Sequence, residues 1–306
     1  MHGFQYQRAG HEMCRIVLIL MLFMPPLLPL AAADSYVAEL EAWKRERLAE
    51  LKGDSGYLNL AGLYWLRQPE STFGSAMDND LPFPASAEPH IGVFHLNPDQ
   101  VVLTVNAGVS VNHMDAPVTR IRMHDDSSDT PVTVTHGSLS WTVINRDGKF
   151  AVRLRDFEHA ALRNFPPIDY YPVNVELNVR AALQPYEEPR QVRVDTVIEG
   201  LDYKPMAPGI LYFSVGGEEF ELEPYLTSSG LLLIFGDRTS GRETYPAGRF
   251  LYAKLPDENG QTMLDFNKAE NPPCAFNEFA TCPVASTRNR LDTRVEAGER
   301  FDPSRH

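Results

Sequence analysis

Apolar and polar residues alternate along this chain with two different periods, and the change between them comes early. From Ser35 to Lys52 (SYVAELEAWKRERLAELK) the apolar positions Val37, Leu40, Trp43, Leu48 and Leu51 recur near helical spacing, with charges between them. That pattern predicts one amphipathic helix. Ser35 is a candidate N-cap with Glu39 in the first turn, and Gly53 stops the helix. From Gly56 onward the period shortens to that of strands separated by turn residues. Tyr57 to Leu66, Gly92 to Leu96, Val101 to Val105, Pro117 to Met123, Val132 to Thr135 and Leu139 to Asn145 read as strands. Arg146-Asp147-Gly148-Lys149 then makes a hairpin turn into Phe150 to Arg155.

A second series follows a linking loop from Arg163 to Pro172. Its strand candidates are Val173 to Val179, Val192 to Ile198, Ile210 to Val215, Phe220 to Leu226 and Leu231 to Phe235. Phe250 to Lys254, Met263 to Phe266 and Leu291 to Glu296 complete it. Short strands at this spacing, with little helix, predict a mainly β fold: an antiparallel sandwich or barrel-like arrangement with one N-terminal helix. The division is residues 1–33 as a targeting segment, 34–164 as the helix plus a sandwich-like part, and 165–306 as a C-terminal β part.

The first residues bear on location. Arg8 and Arg15 precede an apolar run from Ile16 to Leu30, and Ala31-Ala32-Ala33 offers small residues for cleavage before Asp34. This reads as a cleaved export signal, so the protein is expected to be periplasmic or secreted. Pro25, Pro26 and Pro29 interrupt the run, which makes a poor membrane span, and stable membrane insertion is not expected. The formal net charge of −13, with no basic cluster beyond Lys44-Arg45-Glu46-Arg47, disfavours nucleic acid as a partner.

Asp265 to Glu299 is too polar and too broken for a helix. Pro272, Pro273 and Pro283 fix φ and remove backbone donors there. A loop of this length in a compact domain suggests function, because ordering it is entropically costly. Cys274 and Cys282 both lie within it. In an oxidising compartment they most simply form a disulfide closing a small loop, with buried free thiols as the alternative. No His lies between them, so no metal is expected, and no cofactor motif is present.

Signatures such as G-x-S-x-G, H-E-x-x-H and the P-loop are absent. Asp125-Asp126 with Asp129 lacks calcium-loop spacing. Two polar stretches at strand ends stand out: Gly236 to Tyr245 with Arg249, and Asp265 to Asn271. Brought together, Asp237, Thr239, Tyr245, Arg249, Asp265, Asn267 and Asn271 would supply carboxylates, a guanidinium, a phenol and amides to a polar ligand or envelope component. The same groups serve equally as a buried turn network. The paired carboxylates Asp237 and Asp265 give an alternative, cofactor-free hydrolysis. A structural or assembly protein without a ligand site is the third reading.

Several stretches carry a resemblance. They are GYLNLAGLYWL (Gly56 to Leu66), TFGSAMDNDLPFP (Thr72 to Pro84), RLRD (Arg153 to Asp156), IFGDRTSGRETYPAGRFLY (Ile234 to Tyr252), LDFNKAENPPCAF, ATCP and EAGE (Glu296 to Glu299). Together with the helix bearing Trp43, they resemble a mostly bacterial family catalogued as domain of unknown function 1684. That family lends no activity. Phe73-Gly74 with Asn79-Asp80-Leu81 is also similar to the opening of forkhead-associated β-sandwiches. Ser75 stands where that family has a phosphate-gripping Arg, so the resemblance implies the sandwich and not phosphopeptide binding.

Overall fold

The computed structural model describes residues 30–302. The expected signal therefore lies almost entirely outside the described residues. Among those residues, no helix is long and apolar enough to cross a membrane. The fold is mainly β. One helix of any length, Leu30–Lys52, precedes it. That helix begins ahead of Ser35, so Ser35 is an interior residue and not the N-cap. The Ala31-Ala32-Ala33 run has high helix propensity and extends the helix backward.

The first half of the chain builds two open sheets around one core. One sheet orders its strands as Leu60–Trp65, Lys149–Asp156, Leu139–Arg146, Thr133–His136, Asn112–His113 and Ala116–Pro117. The other runs Leu81–Pro82, Glu70–Gly74, Gly92–Asn97, Gln100–Val105 and Arg120–Met123. Residues of both sheets meet in a single apolar cluster that includes Phe73, Phe94, Leu103, Trp141, Val152 and Leu154. The Phe73 ring sits 4.4 Å from that of Phe94 and 5.6 Å, edge-on, from Trp141, geometries that aromatic quadrupoles favour. The expected Asp147-Gly148 hairpin forms. Both residues have positive φ (53° and 78°), the requirement of a two-residue type I′ turn.

The second half repeats the two-layer plan. A four-stranded sheet (Glu218–Leu222, Met206–Val215, Asn178–Gln191, Gln261–Asp265) shares a core with a three-stranded one (Tyr225–Thr227, Gly230–Phe235, Arg249–Ala253). Every residue of Gly230–Phe235 is buried. Leu231, Leu233 and Phe235 face that core, whereas Leu232 and Ile234 face a second cluster with Cys274, Ala280, Cys282 and Ala285. A strand covered on both faces must be apolar throughout, and the unbroken Leu-Leu-Leu-Ile-Phe run is the result. The proline-rich segment is thus a third layer over the three-stranded sheet.

Three expected strands are corrected. Val173 to Val179 is mostly a short 3-10 turn, Val175–Leu177, whose N-cap is Asn174, and pairing begins only at Asn178. Leu291 to Glu296 forms none. Its backbone groups go partly to Gly236 and Arg238 and partly to side chains: Val295 N–H donates to Asp237, and Val295 O accepts from Arg249. Val192 to Ile198 shrinks to Val194–Asp195, because the preceding strand continues through Pro185 and Pro189 to Gln191. Those prolines are tolerated because the neighbouring Gln261–Asp265 strand pairs only with Asn178 to Ala182, leaving a free edge beyond.

Candidate functional site

The sequence-derived residues separate into two structural networks. Asp237 and Arg249 form a fully buried ion pair at 3.1 Å. The remaining Asp237 bonds come from Val295 N–H at 2.8 Å and from the amide and hydroxyl of Thr239. Arg249 also donates to the carbonyls of Val295 (2.9 Å) and Ala297, and its guanidinium stacks 5.2 Å from the Phe235 ring centre. Thr239 Oγ1 bonds Thr244 Oγ1 at 2.8 Å. This is a clamp that ties the 293–297 segment to the sheet. It exposes no group to a ligand.

Asp265 is not among the partners of Arg249. It caps the short turn that follows its strand, accepting from Asn267 N–H at 3.2 Å, with Lys268 at 3.7 Å. Asn267 in turn holds both backbone groups of Asn174 at 2.8 Å. Tyr245 donates to Cys274 O at 3.2 Å and packs edge-on against Phe301. Cys274 and Cys282 stand as buried free thiols, with Cys274 N–H donating to Cys282 Sγ at 3.1 Å. The expected disulfide is therefore absent here, although the two residues are neighbours.

Asn271 leads to a different arrangement. Its N–H donates to Glu299 Oε2 at 2.7 Å, and its carbonyl accepts from Arg47 at 2.9 Å. Arg47 lies between two carboxyl groups: Nη1 is 3.2 Å from Glu270 and Nε is 3.2 Å from Glu299. Each partner is fixed by its backbone. Glu270 exchanges both backbone bonds with Phe250, at 2.8 and 2.9 Å, and Glu299 N–H donates to Ala269 O at 2.8 Å. Gly298 permits that last approach. It has φ +77°, and a Cβ there would lie 2.3 Å from Ala269 O.

One guanidinium cannot neutralise two buried carboxylates. Glu299 keeps two donors, the Asn271 amide and Arg47, whereas Glu270 has Arg47. Burial pushes the Glu270 pKa up to about 8, with Glu299 and Glu50 adding to the rise and Arg47 opposing it. Burial also raises Glu299, against the pull of Arg47 and the Asn271 amide. Burial works against the charge on Arg47 as well, but the two carboxylates outweigh it and the net shift is upward. Near neutral pH, Glu270 is thus a largely protonated acid in a desolvated setting.

Glu270 lies on a cavity of about 610 Å³, within the size range of small-molecule sites. Trp43, Arg47 and Glu50 line it from one face of the helix, Tyr57 from the turn after the helix, and Tyr252 from the strand beside Glu270. Tyr252 is 53% exposed, so its ring is free to meet a ligand. The sequence reading passed over Arg47, Glu270 and Glu299. One signal was available: Arg47 falls on the same helical stripe as Leu40, Trp43 and Leu51, where a charge is out of place unless it has buried partners.

No curated protein matches this chain. A solved structure that does match is the solution NMR structure of the uncharacterized protein from gene locus rrnAC0354 of Haloarcula marismortui. It is 27% identical, covers 46% of this chain and 80% of its own, and superposes with a TM-score of 0.39. The matched family model spans residues 163–300, which include Arg249, Glu270, Asn271 and Glu299 but not Arg47. Over those residues the chain matches the model of the family described as protein of unknown function (DUF1684).

Proposed function

We propose that the protein is an exported β-sandwich module that binds a polar, hydroxyl-bearing small molecule or envelope component in the Glu270 cleft. The observation that carries this reading is the Glu270 carboxyl. It is buried, held by Arg47, raised to about 8, and set in a cavity walled by Trp43, Tyr57 and Tyr252. A protonated carboxyl donates and accepts at once, which suits a hydroxyl, while aromatic faces suit the apolar face of a ring. Perturbed carboxyls in clefts are functional-site candidates on physical grounds. Export is supported by the basic and apolar residues that precede Asp34.

The test is thermal denaturation of the mature protein against a panel of neutral and acidic saccharides and polar metabolites. At least one compound should raise the melting temperature of wild type. Tyr252→Ala should abolish that rise while leaving the unliganded melting temperature unchanged, since the side chain is half exposed. A panel without any shift would favour the structural reading. Glu50 also lines the cleft, which gives a second reading: hydrolysis with Glu270 as acid and Glu50 as the second carboxyl group. Turnover of a bound saccharide, lost in Glu270→Gln, would select it.

A further inference from the structure

The RLRD stretch lines a second cavity beside the Glu270 cleft, and one of its side chains is left without a partner. Val152 and Leu154 enter the core of the first sandwich, so Arg153 and Arg155 project from the opposite face of the sheet. The register sets Thr142 across from Arg153, Ser140 across from Arg155, and Thr133 across from Thr142. Two guanidiniums and three hydroxyl residues therefore share the lining of a cavity of about 390 Å³. Of its lining residues, only Ser55 also lines the Glu270 cleft.

The two arginines are not equivalent. Arg155 donates to the carbonyls of Gly56 and Ser55 and to Asn59 Oδ1. Arg153 makes no hydrogen bond or ion pair with any described residue, and its Nε is buried without an acceptor. Asp126, also on the cavity, is already held by Arg146 through both oxygens at 2.9 and 2.7 Å. Asp54 stands at the exposed rim. Burial first, and then the neighbouring Arg146, disfavours the charged form of Arg153. Burial and Arg153 do the same to Arg155. In a chain of net charge −13, such uncompensated positive charge is against the general trend of the molecule.

We propose that this cavity binds a small oxyanion, the phosphate or carboxylate group of a small-molecule ligand, held by Arg153 with the hydroxyls of Thr142 and Thr133. A planar guanidinium offers an oxyanion two parallel donors, and the hydroxyls supply others. An anion in place would relieve the repulsion between the arginines and give the buried Nε an acceptor nearby.

The experiment uses orthophosphate and citrate as probes, by titration calorimetry and thermal denaturation at constant ionic strength set with NaCl. One of the two should bind saturably and raise the melting temperature beyond the chloride control; which one does so separates a phosphate from a carboxylate ligand. Arg153→Gln should remove the binding yet melt at or above wild type without anion, because no partner is lost. Thr142→Val should weaken binding about tenfold, the loss of one hydrogen bond to a charged group. The proposal is overturned if neither anion binds saturably, or if binding survives Arg153→Gln. It is also overturned if Arg153→Gln unfolds the protein, since the guanidinium would then have a structural partner.

Discussion

Arg47 faces two acids with a single charge, and the consequence is a pH dependence with a definite sign. Glu270 is raised from its ordinary value of 4.5 to about 8 in the folded protein. Folding therefore favours its protonated form. The stability this contributes is complete below about pH 4.5, declines as pH rises, and is lost above about pH 8. Arg47, Glu299, Glu50, Tyr170 and Tyr252 are charged and titratable groups around it. Glu270→Gln keeps the shape and removes the proton. The variant should lose the part of the wild-type decline in melting temperature that falls between pH 5 and 8, a difference of a few kcal/mol at pH 9. Parallel pH profiles for the two proteins would show that Glu270 is ionised throughout and would remove the basis of the cleft reading.

At the scale of elements, strands with local pairing were legible in the sequence and segments held by side chains were not. The Leu139–Arg146 and Lys149–Asp156 hairpin could be read because Asp147-Gly148 specifies its own turn. Leu291 to Glu296 could not. Its apolar alternation resembles a strand, yet its backbone is bonded by Asp237 and Arg249, more than 40 residues away in sequence. Asp237, Arg249 and Asp265 stand out in the sequence as one candidate polar group, but burial makes Asp237 and Arg249 a clamp and Asp265 caps a separate turn. Glu270 was hidden for the opposite reason: it is a single Glu two residues before a Pro-Pro pair, and only folding brings Arg47 to it from 223 residues away.

The proline-rich layer permits a prediction of its own. Cys274 and Cys282 are buried, so native protein should resist alkylation at both. In protein recovered from an oxidising compartment we expect them bridged, leaving no thiol to alkylate after denaturation without reductant. Mass spectrometry showing two labelled cysteines would establish that they persist as the free thiols seen here. The bridge would add about 2–3 kcal/mol on the chain-entropy account.

For the whole molecule, residues 272–302 complete the packing of the second half. Leu291, Val295 and Ala297 complete one core, and Cys274, Ala280, Cys282 and Ala285 complete the other. A chain ending at Asn271 would uncover the Leu232 and Ile234 face of Gly230–Phe235, remove Leu291, Val295 and Ala297 from the core on the other face, and leave Asp237 and Arg249 without their backbone partners. It should lose cooperative unfolding of the second half, read as absent amide protection in residues 206–253 by hydrogen exchange. Retained protection would mean that the four-stranded sheet is self-sufficient. The first sandwich, whose core is drawn from residues 66–154, should keep its protection in either case.

The grip of Arg47 on Glu299 joins residues 252 positions apart. Its meaning in time differs from its meaning in space. Glu299 is translated 252 residues after Arg47, so the helix leaves the ribosome long before its anchor does. Until then Arg47 has no Glu299 to meet, and the Leu231–Phe235 run lacks one of its covers. Loop closure over such a span is slow relative to local pairing. The nascent chain thus remains incompletely folded until Glu299 has been made, and the helix is locked only when the 270–299 segment closes back onto Arg47.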